Sequence, residues 1–316
     1  MQPAAEAALP KPTPFWRKAL ASPLLVSGVV VVGLLFLFAA AAPLVAPYDK
    51  AIQQYPDGLD ADGMPLPPSR PYPLGTDSLG RDVLMRILYG SRISLTVGLA
   101  AVLVAVAIGV VIGLYAGYYG GCADVILMRF TDIMMAVPAL LLALAMAGLI
   151  QTGTHIDIPP WTSHPWKMIP FEKGIWSILL VIGVVSWTGI ARVVRGQVLA
   201  LKERAFVEAA RAVGCSSTRI LWMHILPNVL PAIIVLSAMS TAGAIALEAG
   251  LGYLGVGVPP PAPSWGTMIS DGQPYFTVAP SLVLAPGVAV VLAVLGFNLL
   301  GQGLQDVLDP HHKRRA

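Results

Sequence analysis

Residues 192–228 read RVVRGQVLALKERAFVEAARAVGCSSTRILWMHILPN, with Glu208-Ala209-Ala210 near the centre, Gly214 after it and Leu226-Pro227 towards the close. Arg192, Arg195, Lys202, Glu203, Arg204, Glu208, Arg211 and Arg219 all fall here, and long apolar runs flank the stretch on both sides. A charged segment between runs that can cross a bilayer must face water. Its surplus of Lys and Arg assigns that water to the cytoplasmic side.

The rest of the chain agrees with a membrane setting. Of its 316 residues, 56% are hydrophobic and 12% charged, and the mean hydropathy is +0.73, whereas ordinary soluble domains carry about 25% charged residues. The net charge of +3 is small, and no basic run is interleaved with aromatics, so no nucleic-acid partner is expected. Membrane lipid is expected instead. The two cysteines, Cys122 and Cys215, fall on the side assigned to the cytoplasm, where thiols stay reduced; neither has a Cys or His at metal-ligand spacing.

A helix needs about 20 mainly apolar residues to cross the hydrocarbon core. Six segments satisfy this, near 23–46, 93–118, 125–150, 175–191, 229–250 and 280–304. An even number of spans places both termini on one side. That side receives Lys11, Arg17, Lys18, Arg129, the six Lys and Arg residues of the stretch quoted above, and Lys313, Arg314 and Arg315. By the bias of Lys and Arg it is the cytoplasm. The first span also has the look of a signal sequence, with Arg17 and Lys18 ahead of it and Ala39–Ala42 at its end, but its uncharged stretch exceeds the roughly 7–15 residues of a secretory signal. The chain thus divides into a cytoplasmic segment 1–22, a first span 23–46, an extracytoplasmic loop 47–92, a core 93–304 containing the 192–228 loop, and a basic cytoplasmic tail 305–316.

In the first outer loop, Thr76 or Asp77 suits a helix N-cap. Val83, Leu84, Ile87 and Leu88 then predict an amphipathic helix lying at the interface ahead of the second span, with Asp82 and Arg86 at the i, i+4 spacing. The second outer loop, 151–174, holds four prolines, Trp161 and Trp166 suited to a headgroup belt, and His155 and His164, which lack the further ligands of a metal site. The third, rich in Pro and Gly over 255–266, re-enters or caps the outer mouth. Ionisable residues at membrane depth are candidates for function because burying charge in lipid is costly. Arg129 and Asp132 predict a local ion pair. Glu248 and Asn298 are the candidates for a translocation pathway: Glu248 fits either a lining position in a peptide pathway or an interfacial one, and Asn298 fits an interhelical hydrogen bond better than a substrate ligand.

Some chemistries are missing from the sequence. No Gly-rich phosphate cradle followed by Lys and Ser or Thr is present, and neither a His-Glu-x-x-His helix nor a Gly-x-Ser-x-Gly elbow occurs. No catalytic residue is expected and no metal or cofactor bound by this chain. The 192–228 stretch predicts a short helix over 205–213, a break at Gly214 and a second helix over 216–224 ending before Pro227. Ala209 and Ala210 permit close approach of a partner, and Glu208, Arg211 and Arg204 supply polar contacts.

Glu208-Ala209-Ala210, then three residues, Gly214, eleven residues and Leu226-Pro227 resemble the loop by which permeases of bacterial ABC importers dock onto ATPase subunits. Leu74-Gly75-Thr76-Asp77 running through Gly80-Arg81-Asp82, Arg92-Ile93-Ser94-Leu95, Leu254-Gly255-Val256-Gly257, Pro263-Ser264-Trp265-Gly266, Asn298-Leu299-Leu300-Gly301 and Leu308-Asp309-Pro310 extend the likeness to the dipeptide and oligopeptide branch. His224 stands where the general pattern has Ile, and the long 151–174 loop is a second departure. The resemblance implies an all-α membrane protein of six transmembrane helices, the type I ABC importer permease fold with a cytoplasmic coupling helix. It implies ATPase coupling through Glu208, Ala209, Ala210, Arg211, Gly214, Leu226 and Pro227. The implied partners are a second homologous permease, two ATPase subunits that carry ATP and Mg on the cytoplasmic face, an extracytoplasmic substrate-binding protein and a short peptide. A secondary transporter and a membrane-embedded hydrolase are the contrasting classes; the first usually shows inverted repeats and the second needs a buried nucleophile with a base.

Overall fold

A computed structural model describes residues 15–45, 47–151 and 174–308. The expectations placed on residues 1–14, on Trp161, Trp166, His155 and His164, and on Asp309-Pro310 with the basic tail lie outside the described residues. Those described are helical wherever they are regular. Their β-structure is limited to isolated bridges pairing Leu59 with Pro65 and Thr76 with Asp82.

The elements in order are α1 (Phe15–Ala21), α2 (Pro23–Val45), α3 (Tyr48–Ile52), α4 (Val83–Tyr119), α5 (Gly121–Ala136), α6 (Ala139–Gln151), α7 (Ile175–Leu201), α8 (Ala205–Ala212), α9 (Ser217–Arg219), a π-helical turn (Ile220–Ile225), α10 (Leu226–Tyr253), α11 (Trp265–Gly272), a 3₁₀ turn (Gln273–Tyr275) and α12 (Ser281–Leu308). Among the described residues, five helical stretches are long and apolar enough to cross a membrane: α2, α4, α7, the continuous run Ser217–Tyr253, and α12. The bent pair α5–α6 makes a sixth if it counts as one span.

That pair occupies the place of the third span expected over 125–150, and it is sharply bent instead of one straight helix. The two helices meet at 87° across Val137-Pro138, where the proline supplies no N–H and its ring conflicts with the carbonyl four residues back. Helix α6 restarts with Leu142 N–H donating to Pro138 O at 3.0 Å. Three further boundaries move. Helix α4 runs unbroken from Val83 to Tyr119, so the amphipathic segment is the first part of the second span, not a separate interfacial helix. Its N-cap is Asp82, whose carboxylate accepts from Leu84 N at 2.8 Å and Met85 N at 3.3 Å, not Thr76 or Asp77. Helix α7 continues well past residue 191 to Leu201. Much of the supposed loop is therefore an extension of the spans.

Small residues bring α4 and α7 together. Gly109, Gly113 and Gly117 recur at four-residue spacing, and a Cβ at Gly113 would come within 2.6 Å of Ala191 O, one at Gly109 within 2.8 Å of Trp187 O. Close backbone approach of this kind suits association in lipid, where packing substitutes for a hydrophobic drive between helices. Helices α4 and α7 run parallel, since Gly109 meets Trp187 and Ile190 and Gly117 meets Val198. Helix α10 opposes them, because Gly98 of α4 packs on Ile245. The N-terminal ends of α4 and α7 and the C-terminal end of α10 thus share one end of the bundle, and α8 lies at the other. Helices α2, α10 and α12 close the remaining side around Val32, Leu35, Ala242, Ile245, Ala293 and Phe297.

Candidate functional site

The elbow between α7 and α10 is built from local rules. Helix α8 spans Ala205–Ala212 and buries Val207 and Ala210 while Glu208, Ala209 and Arg211 stay exposed. The buried pair joins Ile220, Leu221, Ile225, Leu114, Val194 and Val198 in one apolar cluster at the foot of the bundle. Gly214 then ends the helix at φ +82°. Its N–H donates to Arg211 O and that of Cys215 to Ala210 O, each at 3.0 Å. This is a Schellman closure, and the left-handed residue it needs is most readily glycine.

The return leg departs from expectation. Instead of a second helix stopping before Pro227, the chain passes from α9 through the π-helical turn into α10 without a break, forming the single helical run Ser217–Tyr253. Leu226 N–H bonds Leu221 O, five residues back. Pro227 supplies no N–H, and a widened turn ahead of it is a normal adjustment in a helix. Leu226 and Pro227 thus sit in the first turn of α10. Helix α8 is joined to the helical run Ser217–Tyr253 by the turn 213–216 and to α7 by the three residues 202–204.

Two contacts fasten the elbow to α4. The Arg211 guanidinium carbon lies 5.5 Å from the centroid of the Tyr118 ring, so this residue acts within the chain as well as at the surface. Lys202 Nζ donates to Gly117 O at 3.2 Å. On the neighbouring side, Arg195 grips Asp124 with two bonds of 2.5 and 2.6 Å, and Arg192 Nη2 reaches Asp132 at 2.5 Å. The expected Arg129–Asp132 pair is replaced by this one, because α5 and α7 lie side by side, with Phe130 stacked 5.9 Å from Trp187. Interhelical pairs between α5 and α7 leave no periodic trace within either segment, and sequence reasoning missed them.

At the opposite end, Asp77 organises a charged cluster. Its Oδ1 accepts from the N–H groups of Leu79 and Arg81, both at 2.9 Å. Its Oδ2 lies 2.6 Å from Arg81 Nε and 3.3 Å from Arg86 Nε. Asp82 is occupied as the α4 cap, and among the described residues Arg86 pairs with Asp77 and Asp271 instead of its i−4 neighbour. Asp271, contributed by α11, stands 3.9 Å from Nη2 of both arginines. Burial pushes its carboxyl above the usual carboxylate range against the pull of Arg86 and Arg81. The i, i+4 spacing of Asp77 and Arg81 was a readable signal; nothing in the sequence linked them to Asp271.

The two pathway candidates are placed differently from expectation. Glu248 is fully buried within this chain, so its carboxylate faces no open surface of it. Ser94 and Ser264 are its polar neighbours, but neither carboxylate oxygen makes a hydrogen bond of ordinary geometry among the described residues. Helix α11 covers it: Ser264 and Thr267 form a reciprocal capping box, Trp265 N–H donates to Ser94 Oγ at 3.3 Å, and Gly266 sits on the backbone of Ala249. Asn298 donates to Val294 O of its own helix at 2.9 Å, not across to another.

Comparison with known proteins places this geometry. The family described as binding-protein-dependent transport system inner membrane component matches residues 109–314, and the N-terminal TM domain of oligopeptide transport permease C matches residues 14–68. Over 299 residues the chain is 36% identical to oligopeptide transport system permease protein OppC of Bacillus subtilis (strain 168), covering 93% of this chain and 89% of the relative. It is 38% identical over 299 residues to glutathione transport system permease protein GsiD of Shigella flexneri serotype 5b (strain 8401), covering 95% and 90%. The solved MetNI methionine ABC transporter, in inward facing conformations, aligns with a TM-score of 0.52 at 19% identity over 71% of this chain and 97% of its own. That likeness is one of fold, the type I importer fold. The chain belongs to the binding-protein-dependent transport system inner membrane components, the multi-pass permeases of ABC importers.

Proposed function

We propose that this chain is one permease of an ATP-driven importer that carries short peptides, dipeptides foremost, across the cytoplasmic membrane by alternating access. The carrying observation is the elbow: an exposed helix with Glu208, Ala209 and Arg211 outward, closed at Gly214 and followed after a short turn by the unbroken helical run Ser217–Tyr253. A push on such a lever reaches the span directly. ATP and Mg belong to two separate ATPase subunits that grip the elbow from the cytoplasm. A second homologous permease completes the pathway, and an extracytoplasmic binding protein delivers cargo at the end that carries Asp77. The OppC relative favours peptides, and the GsiD relatives favour glutathione as a second reading.

Uptake of a radiolabelled dipeptide into vesicles holding the four-subunit complex and the binding protein tests this. Inactivating the ATPases is expected to abolish uptake; uptake that persists on an ion gradient alone overturns the ABC mechanism. A competition series of dipeptides, longer peptides and glutathione decides the cargo. Glutathione outcompeting every dipeptide would establish the second reading.

A further inference from the structure

Beside the Asp77 cluster lies a cavity of about 510 Å³, bounded by the segment 252–262, α11, and the adjoining ends of α4, α6 and α7. Its volume falls in the range of roughly 300–1,000 Å³ typical of small-molecule sites. Arg81, Arg86 and Asp271 line one wall, Thr267 and Ser270 add hydroxyls, and prolines with Ile178 and Val258 make much of the remainder apolar.

The charges on that wall are unevenly satisfied. Asp77 spends both oxygens on Leu79, Arg81 and Arg86. Arg86 is 3% exposed, and its Nη1 has no hydrogen-bond partner among the described residues. Asp271, its side chain 49% exposed, lies 3.9 Å from the nearest guanidinium nitrogens, beyond hydrogen-bond reach. An enclosed guanidinium with unspent donors favours a carboxylate, which it binds through charge-assisted hydrogen bonds. The four charges of the cluster sum to zero, so a bare anion would unbalance it. A zwitterion would not.

Resting on the peptide reading above, we propose that this cavity is a binding site for unblocked short peptides, with the peptide's terminal carboxylate on Arg86 and its terminal ammonium on the exposed side of Asp271. The side chains of the peptide lie against the proline-rich segment 259–262. The site accepts cargo at the mouth of the permease itself and reads the two charged ends that every such peptide shares.

The test uses the complex of both permeases and both ATPases in nanodiscs without the binding protein, probed with a dipeptide of Ala and a diazirine-bearing Leu analogue. Photolabelling is expected within the segment 252–262. Ala-Leu should compete, with its C-terminal amide and its N-acetyl form roughly 10- to 100-fold weaker, the usual loss for a charge-assisted bond. Arg86→Gln should weaken labelling by a similar factor and erase the preference for Ala-Leu over the amide. Labelling elsewhere, or equal competition by blocked and free dipeptides, overturns the site. Because Arg86 also holds Asp77, Ala262→Trp, which takes up cavity volume and replaces no charged residue, is read beside it. Loss of label from an assembled complex supports the site, and full retention overturns it. Vesicles that import Ala-Leu while the cavity stays unlabelled sink only this inference; vesicles that import no dipeptide sink the peptide reading with it.

Discussion

Gly214 is held by backbone geometry alone. No atom lies within 4 Å of where its Cβ would stand, yet its φ is +82°, a conformation that costs an L-residue roughly 1–2 kcal/mol. Gly214→Ala is therefore expected to loosen the elbow without any clash. Hydrogen exchange of the Gly214 and Cys215 amides, the two donors of the closure, should quicken about fivefold to thirtyfold, while amides in the middle of α7 stay unchanged. No change at these two amides would refute the strain argument. Tyr72 makes a second residue-level case, in the loop ahead of α4. It is 6% exposed and donates to Asp57 Oδ1 at 3.1 Å. Burial first, and the bond to Asp57 second, push its phenol up to about 12. A raised folded-state value means the proton is held more tightly in the native protein. The associated stability is fully present below pH 10 and is lost as pH rises through about 12. An absorbance titration of tyrosinate should lose its latest phenol in Tyr72→Phe, while Tyr48 and Tyr55, which burial also raises, keep titrating late.

At the scale of an element, α8 presents two faces with different duties. Val207 and Ala210 hold it to the bundle, whereas Glu208 stands in solvent. Glu208→Arg should leave the thermal melt of the permease within about 0.5 kcal/mol, as exposed substitutions usually do, and reduce co-purification of the ATPases at least tenfold. Undiminished co-purification would detach α8 from its assigned partner. The elbow was the most legible part of the chain, because glycine after a short amphipathic helix and proline at the next helix start are local signals. Long apolar runs located the spans equally well, since lipid demands them wherever a helix crosses. Their ends were less legible: charged residues such as Arg192, Arg195 and Lys202 were read as loop, although α7 carries the first two as partners for α5. The bend at Pro138, which divides the third span into two helices, went unread, although a proline inside an apolar run is the local signal for one. Contacts between elements were the least legible. Asp271 beside Arg86, and Glu248 beneath Trp265, depend on how α11 folds back over α4 and α10, which no pattern along the chain encodes.

For the whole molecule, the position of the elbow relative to the membrane decides whether any cytoplasmic motor can reach it. The helices fix relative ends without naming sides: the ends of α4 and α7 that approach the elbow lie opposite the Asp77 cluster. Naming the sides falls to the charges. Arg192, Arg195, Lys202, Arg204, Arg211 and Arg219 crowd the elbow end, and such a crowd is retained in the cytoplasm during insertion. The loop 47–82 at the other end also carries Lys50, Arg70 and Arg81, but with Asp49, Asp57, Asp60, Asp62, Asp77 and Asp82 among them. Cys122 offers a native probe of this choice, since it is exposed at the first turn of α5 beside the elbow, while Cys215 is only partly exposed. In a Cys215→Ser background, a membrane-impermeant maleimide should label Cys122 in inside-out vesicles and not in intact cells. A cysteine introduced at the exposed Asp62 should show the reverse pattern. If Cys122 reacts in intact cells, the elbow lies outside, the cavity lined by Arg86 faces the cytoplasm, and both the docking of an ATPase on Glu208 and the capture of peptide from a binding protein fail together.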